Sequence, residues 1–363
     1  MSSIVTFLGK GGTGRTISAI ATAKKLATEG KKVLLMGQDS SPAWGMALGI
    51  TPTAEPLEID ANFAVMQLNS TVLLENSWEQ VKRLEAQYLR SPILKQVYGQ
   101  ELGVLPGMDR ALALNTIREY YQDGKYDAIV YDGTAGIDTL RMLGMPEILS
   151  WYFRRFRDVF SESDIVKTLS PFVGPVTGAI LNTTWTANEI KGSTDNPATQ
   201  MLEEGTAALS KGNVLAYLVT TADPAAIATA KYLWGSAQQV NLKVAGVLAR
   251  GATNAISTEF SPLEVTDLPE FDGGNWQDLI AKLPAMVDGA SAPQATEFVM
   301  AERKVKVYLP GFDKKAVKLT QYGPEITIEA GDQRRNITLP PAWRGSSVTG
   351  AKFQNGYLEV SVG

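Results

Sequence analysis

Residues 3 to 30, SIVTFLGKGGTGRTISAIATAKKLATEG, set the tightest limit on what this chain can fold into. An apolar run, SIVTFLG, ends in a glycine-rich turn. The turn opens at once into a helical pattern that stops at Gly30. Its core, GKGGTGRT from Gly9 to Thr16, fills every fixed position of the phosphate-loop pattern G-x-x-x-x-G-K-[ST] except one. Arg15 stands where the lysine is usual, and a lysine appears five residues earlier, at Lys10. Gly11, Gly12 and Gly14 let backbone amides turn toward a phosphate without a Cβ in the way. The start of the helix adds partial positive charge, and Thr16 offers a hydroxyl to Mg²⁺. Strand before and helix after raise the motif above an ordinary βα turn.

Further apolar runs repeat the theme. KKVLLMG, NFAVMQL, YDAIVYD, GNVLAYLVTTA and LKVAGVLAR read as strands, with helical stretches between them such as Pro224 to Val240. Continuously apolar strands separated by helices predict a mostly parallel, doubly wound α/β sheet covered on both faces. YDAIVYD delivers Asp132 to the sheet edge beside the loop, where a carboxylate can hold Mg²⁺ through water. Many buried strands end in Asp, so this signal is weak alone. Asp39, just past KKVLLMG, can either orient a water toward a γ-phosphate or cap a turn, and the residues leave both open.

Composition narrows the chemistry. The 363 residues contain no Cys and no His, so thiolate metal sites, disulfides and imidazole bases are absent from this chain. Carboxylates, hydroxyls, cations, backbone amides and a hard cation remain. A net charge of −4 argues against a broad nucleic-acid footprint. The longest apolar stretch, Leu169 to Leu181, is broken by Pro and Gly and falls short of the ~20 residues that span a bilayer. The expectation is a cytoplasmic protein without stable membrane insertion.

Two stretches break the α/β rhythm, 71–98 and 146–211, and are predicted to form an inserted helical subdomain within a domain 1–286. In the second, Leu149, Phe153, Phe156 and Phe160 share one helix face. That face is either packed core or an apolar groove for a partner. Residues 287–302 read as a linker. From 303 to 363 short alternating strands with Gly and Pro turns predict a small all-β sandwich.

A lysine directly after the first loop glycine marks the deviant Walker A motif. The chain resembles the arsenical-pump and tail-anchored-protein-targeting ATPase family, within the class that includes the Min and Par partition ATPases. DGTAGIDTLRML with Pro146 resembles that family's switch II, LPGMDRALAL a further block, and QDSSPAWGMALG its switch I. LPGFDKKAVKL, RRNITLP and GAKFQNGYLEVSV resemble the β-sandwich of small heat-shock proteins. The resemblance implies ATP and Mg²⁺ as cofactors. It also implies a homodimer with facing nucleotides and a hydrophobic client, such as a tail-anchored membrane segment. It implies nucleotide contacts from Gly9, Lys10, Gly11, Gly12, Thr13, Gly14, Arg15, Thr16 and Ile17, with Lys10 acting in the partner's site. Asp39 falls on the water-activating Asp. Thr16 and Asp132 fall on the Mg²⁺ ligands, the latter through water. The family's adenine-reading Asn is absent, which leaves Arg250 or Asn254 as candidates. A cysteine-based arsenite site cannot form.

Overall fold

A computed structural model describes residues 2–76, 107–134, 136–162, 197–251, 256–271, 273, 275–286 and 292–363, apart from the side chains at 153, 156–162 and 197–199. The core is an eight-stranded sheet. Its strands are β1 (Ser3–Leu8), β2 (Val33–Gly37), β3 (Leu57–Asp60), β4 (Phe63–Gln67), β5 (Ala128–Asp132), β6 (Val214–Thr221), β7 (Lys243–Arg250) and β8 (Val265–Leu268). Their spatial order is β3-β4-β2-β5-β1-β6-β7-β8, and every pairing is parallel except β3 with β4. The mostly parallel sheet read from the apolar runs is therefore observed. Short, exposed β3 and the four-residue β8 lacked the apolar length that marks the other strands.

Helices cover both faces: α1 (Arg15–Thr28), α2 (Pro42–Leu48), α3 (Met108–Asp123), α4 (Gly136–Glu162), α5 (Pro197–Ser210), α6 (Pro224–Gln239) and α7 (Trp276–Lys282). The alanine-rich α1 buries Ala19, Ile20, Ala23 and Leu26 against Val33, Leu35 and Val130 on one face of the sheet. On the other face, Leu140 and Leu143 of α4 and Leu233 and Trp234 of α6 pack with Ile4, Ile129 and Ala216. Helix α4 starts four residues past Asp132 and runs for 27 residues through Pro146. Leu209 of α5 joins the same core, so this part of the region read as a helical subdomain packs on the main sheet. Most of 71–98, the whole of 163–196, and the side chains of Phe153, Phe156 and Phe160 lie outside the described residues.

The C-terminal region is a two-sheet sandwich, as its alternation predicted. The strands β9 (Thr296–Val299), β10 (Lys304–Tyr308), β14 (Val348–Gln354) and β15 (Tyr357–Val362) make one sheet. The other holds β11 (Val317–Tyr322), β12 (Glu325–Ala330) and β13 (Gln333–Thr338). Val305, Val307, Ile326, Ile328, Trp343 and Val360 fill the space between them. Strand β9 lies inside the stretch 287–302 read as a linker; it pairs antiparallel with β10, with Val305 opposite Phe298. Its four residues are too few for a clear period-two signal.

The sandwich packs on α6 through rings: Tyr232 meets Phe312 and Trp234 meets Tyr308, each with centroids 5.6 Å apart. Buried Arg335 donates from Nη1 to the Gln238 carbonyl at 2.9 Å. Polar bridges reach α4, where Trp151 Nε1 donates to Glu325 Oε2 at 3.0 Å and Arg141 pairs with Asp332.

Candidate active site

The parallel order brings the C-terminal ends of β1, β2, β5, β6 and β7 to one edge, and the glycine loop leaves β1 there. Ligands bind at such an edge in open α/β sheets because helix N-termini and loop side chains converge on it. Gly12 and Gly14 have φ of 83° and 95°, in the left-handed region that other residues avoid. Gly14 caps α1. Thr13 fastens the turn by donating its hydroxyl to the Lys10 carbonyl at 2.8 Å. Ile17, partly buried, packs its side chain on the core beneath α1.

Each sequence-predicted side chain has a definite setting. Lys10 is half exposed, and its Nζ lies 3.7 Å from Asp223 Oδ2 within the same chain. Asp223 also caps α6, accepting from the Ala226 amide at 3.1 Å. Arg15 turns toward the start of the switch II segment. Its Nη1 donates to the Gly133 carbonyl at 3.3 Å and also to that of Thr134. Burial lowers the Arg15 pKa, while Asp132 nearby favours the charged form. A guanidinium keeps its charge at neutral pH even so.

Asp132 is almost fully buried at the end of β5. Burial pushes its carboxyl up to about 6, and the neighbouring Asp39 adds to the rise. The Thr16 hydroxyl, the Arg15 charge and the Trp44 indole pull it back, in that order. Trp44 Nε1 donates to Asp132 Oδ2 at 3.1 Å. The ring can reach because Gly37 lacks a side chain: a Cβ there would sit 2.2 Å from the indole. Sequence reading passed over Trp44, and no local signal marks it, since its partner is 88 residues away.

The Asp39 carboxylate makes a turn contact with Ser41. Its Oδ1 accepts from the Ser41 amide at 2.8 Å and its Oδ2 from the Ser41 hydroxyl at 2.9 Å. Arg250 ends β7 opposite Thr221 and lies against the loop at Gly14. Asn254 lies outside the described residues.

The donors at this edge suit magnesium. Thr16 and Asp132 present only hard oxygen atoms, and the Thr16 hydroxyl favours the charged form of Asp132. Among the described residues no cluster of three or more His, Cys, Asp or Glu could hold a metal. An ion at Thr16 and Asp132 would therefore draw its other ligands from water and phosphate, as Mg²⁺ commonly does.

Two family models match the chain. One, described as "Anion-transporting ATPase", covers residues 2–225, and the other, "HSP20-like domain found in ArsA", covers residues 301–362. Among similar proteins is one of Aquifex aeolicus named as an arsenical pump-driving ATPase. It is 24% identical over 398 residues, spanning 97% of each chain. A protein of Chlorobaculum tepidum with the same designation is 33% identical over 167 residues, 46% of this chain and 41% of that one. An "ATPase ASNA1 homolog" of Entamoeba dispar is 28% identical over 193 residues, 50% of this chain and 56% of its own length.

Proposed function

The chain belongs to the anion-transporting ATPase family and hydrolyses ATP; from that premise we propose that it is a homodimeric targeting factor or chaperone. In this reading Mg·ATP binding and hydrolysis switch it between states that hold and release a hydrophobic client, such as the tail-anchored segment of a membrane protein. The loop amides from Gly9 to Ile17 cradle the phosphates, with Thr16 and Asp132 holding Mg²⁺, which when bound neutralises phosphate charge. Lys10 leaves Asp223 to reach the partner's phosphates. Asp39 leaves Ser41 to orient a water. That water attacks the γ-phosphorus, the bond to the β–γ bridging oxygen breaks, and ADP, inorganic phosphate and a proton are released. Arg250 serves as a further nucleotide contact.

The observation that carries the switching role is the Arg15 tether. Its guanidinium joins the phosphate loop to the Gly133 and Thr134 carbonyls, and α4 begins two residues later. A γ-phosphate that competes for Arg15 would loosen that tether and shift the start of α4. Turnover is expected to be slow, because Arg15 must exchange two carbonyl partners for phosphate. Along α4, Ile148, Leu149 and Tyr152 are exposed at 38%, 36% and 48%. Exposed apolar side chains on a helix tied to the site favour a client surface over a sealed core. Among the described residues no helix is long and apolar enough to cross a membrane, and we place the protein in the cytoplasm with a protein client rather than nucleic acid. With no Cys in the chain, a thiolate arsenite site is not part of this reading.

The test is photocrosslinking of a hydrophobic helical peptide to the full chain with ATP, ADP or no nucleotide. Capture that depends on nucleotide and is lost in Leu149→Asp, with the melting temperature held, is the expected result. Capture indifferent to both would refute the client role and leave the ATPase standing.

A further inference from the structure

Arg250 carries more than its sequence position promised. The family resemblance leaves it as a candidate for reading the adenine edge, yet its head lies against the phosphate loop at Gly14. A Cβ built on Gly14 would fall 1.3 Å from Arg250 Nη2 and 2.4 Å from Cζ, so the guanidinium occupies the space that this glycine leaves open. Gly14 is the N-cap of α1, where unpaired amides and the helix dipole already present positive charge.

Positive charge is thus packed on positive charge. Only 13% of the Arg250 side chain is exposed, and its Nε is buried with no partner among the described residues. Among the described residues, the acid it pairs with is Glu270, 3.8 Å from Nη1 and 87% exposed. An ion pair this long, with so exposed a partner, contributes little. The other two cations of the loop have acceptors: Arg15 holds two carbonyls and Lys10 faces Asp223. A buried guanidinium with a spare donor, packed against a helix N-terminus, gains most from an anion that bridges both.

Hydrogen-bonding capacity argues the same way. A guanidinium has donors and no acceptor, so it cannot take a hydrogen bond from the adenine amine as an Asn can. It matches phosphate oxygens, to which it can donate two parallel bonds.

We propose that Arg250 is a phosphate-gripping residue, a third cation on the nucleotide's phosphate chain, so that this site selects for polyphosphate more than for the base. This rests on the nucleotide-site reading above. It predicts that ADP, GDP and inorganic pyrophosphate all depend on Arg250.

The experiment is calorimetric titration of the full chain with each of these three ligands in the presence of Mg²⁺, for wild type, Arg250→Ala and Arg250→Lys. Loss of one charge-assisted contact corresponds to about 10- to 100-fold weaker binding. The expected result is a loss of that size for all three ligands in Arg250→Ala, partly restored in Arg250→Lys. A loss confined to ADP, with GDP and pyrophosphate unchanged, would make Arg250 a base reader and overturn the proposal. Unchanged binding of all three would make it a packing residue and overturn it too. Should Arg250→Ala fold poorly, Arg250→Gln keeps the packing volume and is read in the same way. Wild type that binds none of the three would refute the nucleotide site itself, a result distinct from a variant that binds as well as wild type.

Discussion

Replacing Trp44 with Phe removes one N–H and part of a ring from a buried spot. The donor acts at 3.1 Å on Asp132 Oδ2, and both residues are almost inaccessible to water. A hydrogen bond to a charged acceptor contributes about 1.5–3 kcal/mol. The smaller ring leaves further apolar area unfilled, adding about 1 kcal/mol at ~25 cal/mol per Å². The variant should therefore lose about 2.5–4 kcal/mol of folding stability at pH 9. Most of this depends on ionised Asp132, whose carboxyl titrates at about 6 in the folded wild type. Losing the indole raises that pKa further. The charge-dependent part of the loss is then fully present above the variant's pKa and disappears as the pH falls below about 6, where both proteins carry a protonated Asp132. Urea denaturation followed by far-UV circular dichroism at pH 9 and pH 5 measures both limits without relying on tryptophan emission. A double-mutant cycle with Asp132→Asn isolates the pair, since the amide accepts only a neutral hydrogen bond. A loss below about 0.5 kcal/mol, or one equal at both pH values and in the Asn background, would show that Trp44 merely fills space.

Arg15→Lys frees the Gly133 and Thr134 carbonyls while keeping a cation at the loop, so phosphate release should rise by about tenfold, equivalent to ~1.4 kcal/mol in the barrier; an unchanged or lower rate in a malachite-green assay would count against the tether. Asp39→Asn should cut hydrolysis by about 100-fold or more with ATP affinity nearly intact, whereas unchanged turnover would confine Asp39 to its turn with Ser41. Lys10→Ala mixed with Thr16→Ala should rebuild one working site in a heterodimer if Lys10 acts in trans, and heterodimers verified by mass that stay inactive would assign Lys10 to Asp223 in its own chain.

Local chemistry was enough for much of this protein. Strand, glycine turn and helix around GKGGTGRT are dictated by neighbours within a few residues, through apolar runs, positive-φ glycines and helical periodicity. The same holds for the apolar strands that end at Asp132 and Arg250, and for the alternation that builds the sandwich. Because parallel sheets turn their C-terminal strand ends toward one edge, sequence also indicated that Asp39 and Asp132 would lie near the loop. What each side chain touches was settled only in three dimensions. Trp44 reaches Asp132 across 88 residues, and Arg15 reaches Gly133 across 118. Arg250 lies on Gly14, and the sandwich stands on α6 through Tyr232 and Trp234. Such contacts follow from how sheet order and helix packing bring distant segments together. Periodicity carries no record of a partner a hundred residues away, so burial, pairing and the pKa of Asp132 came from tertiary structure alone.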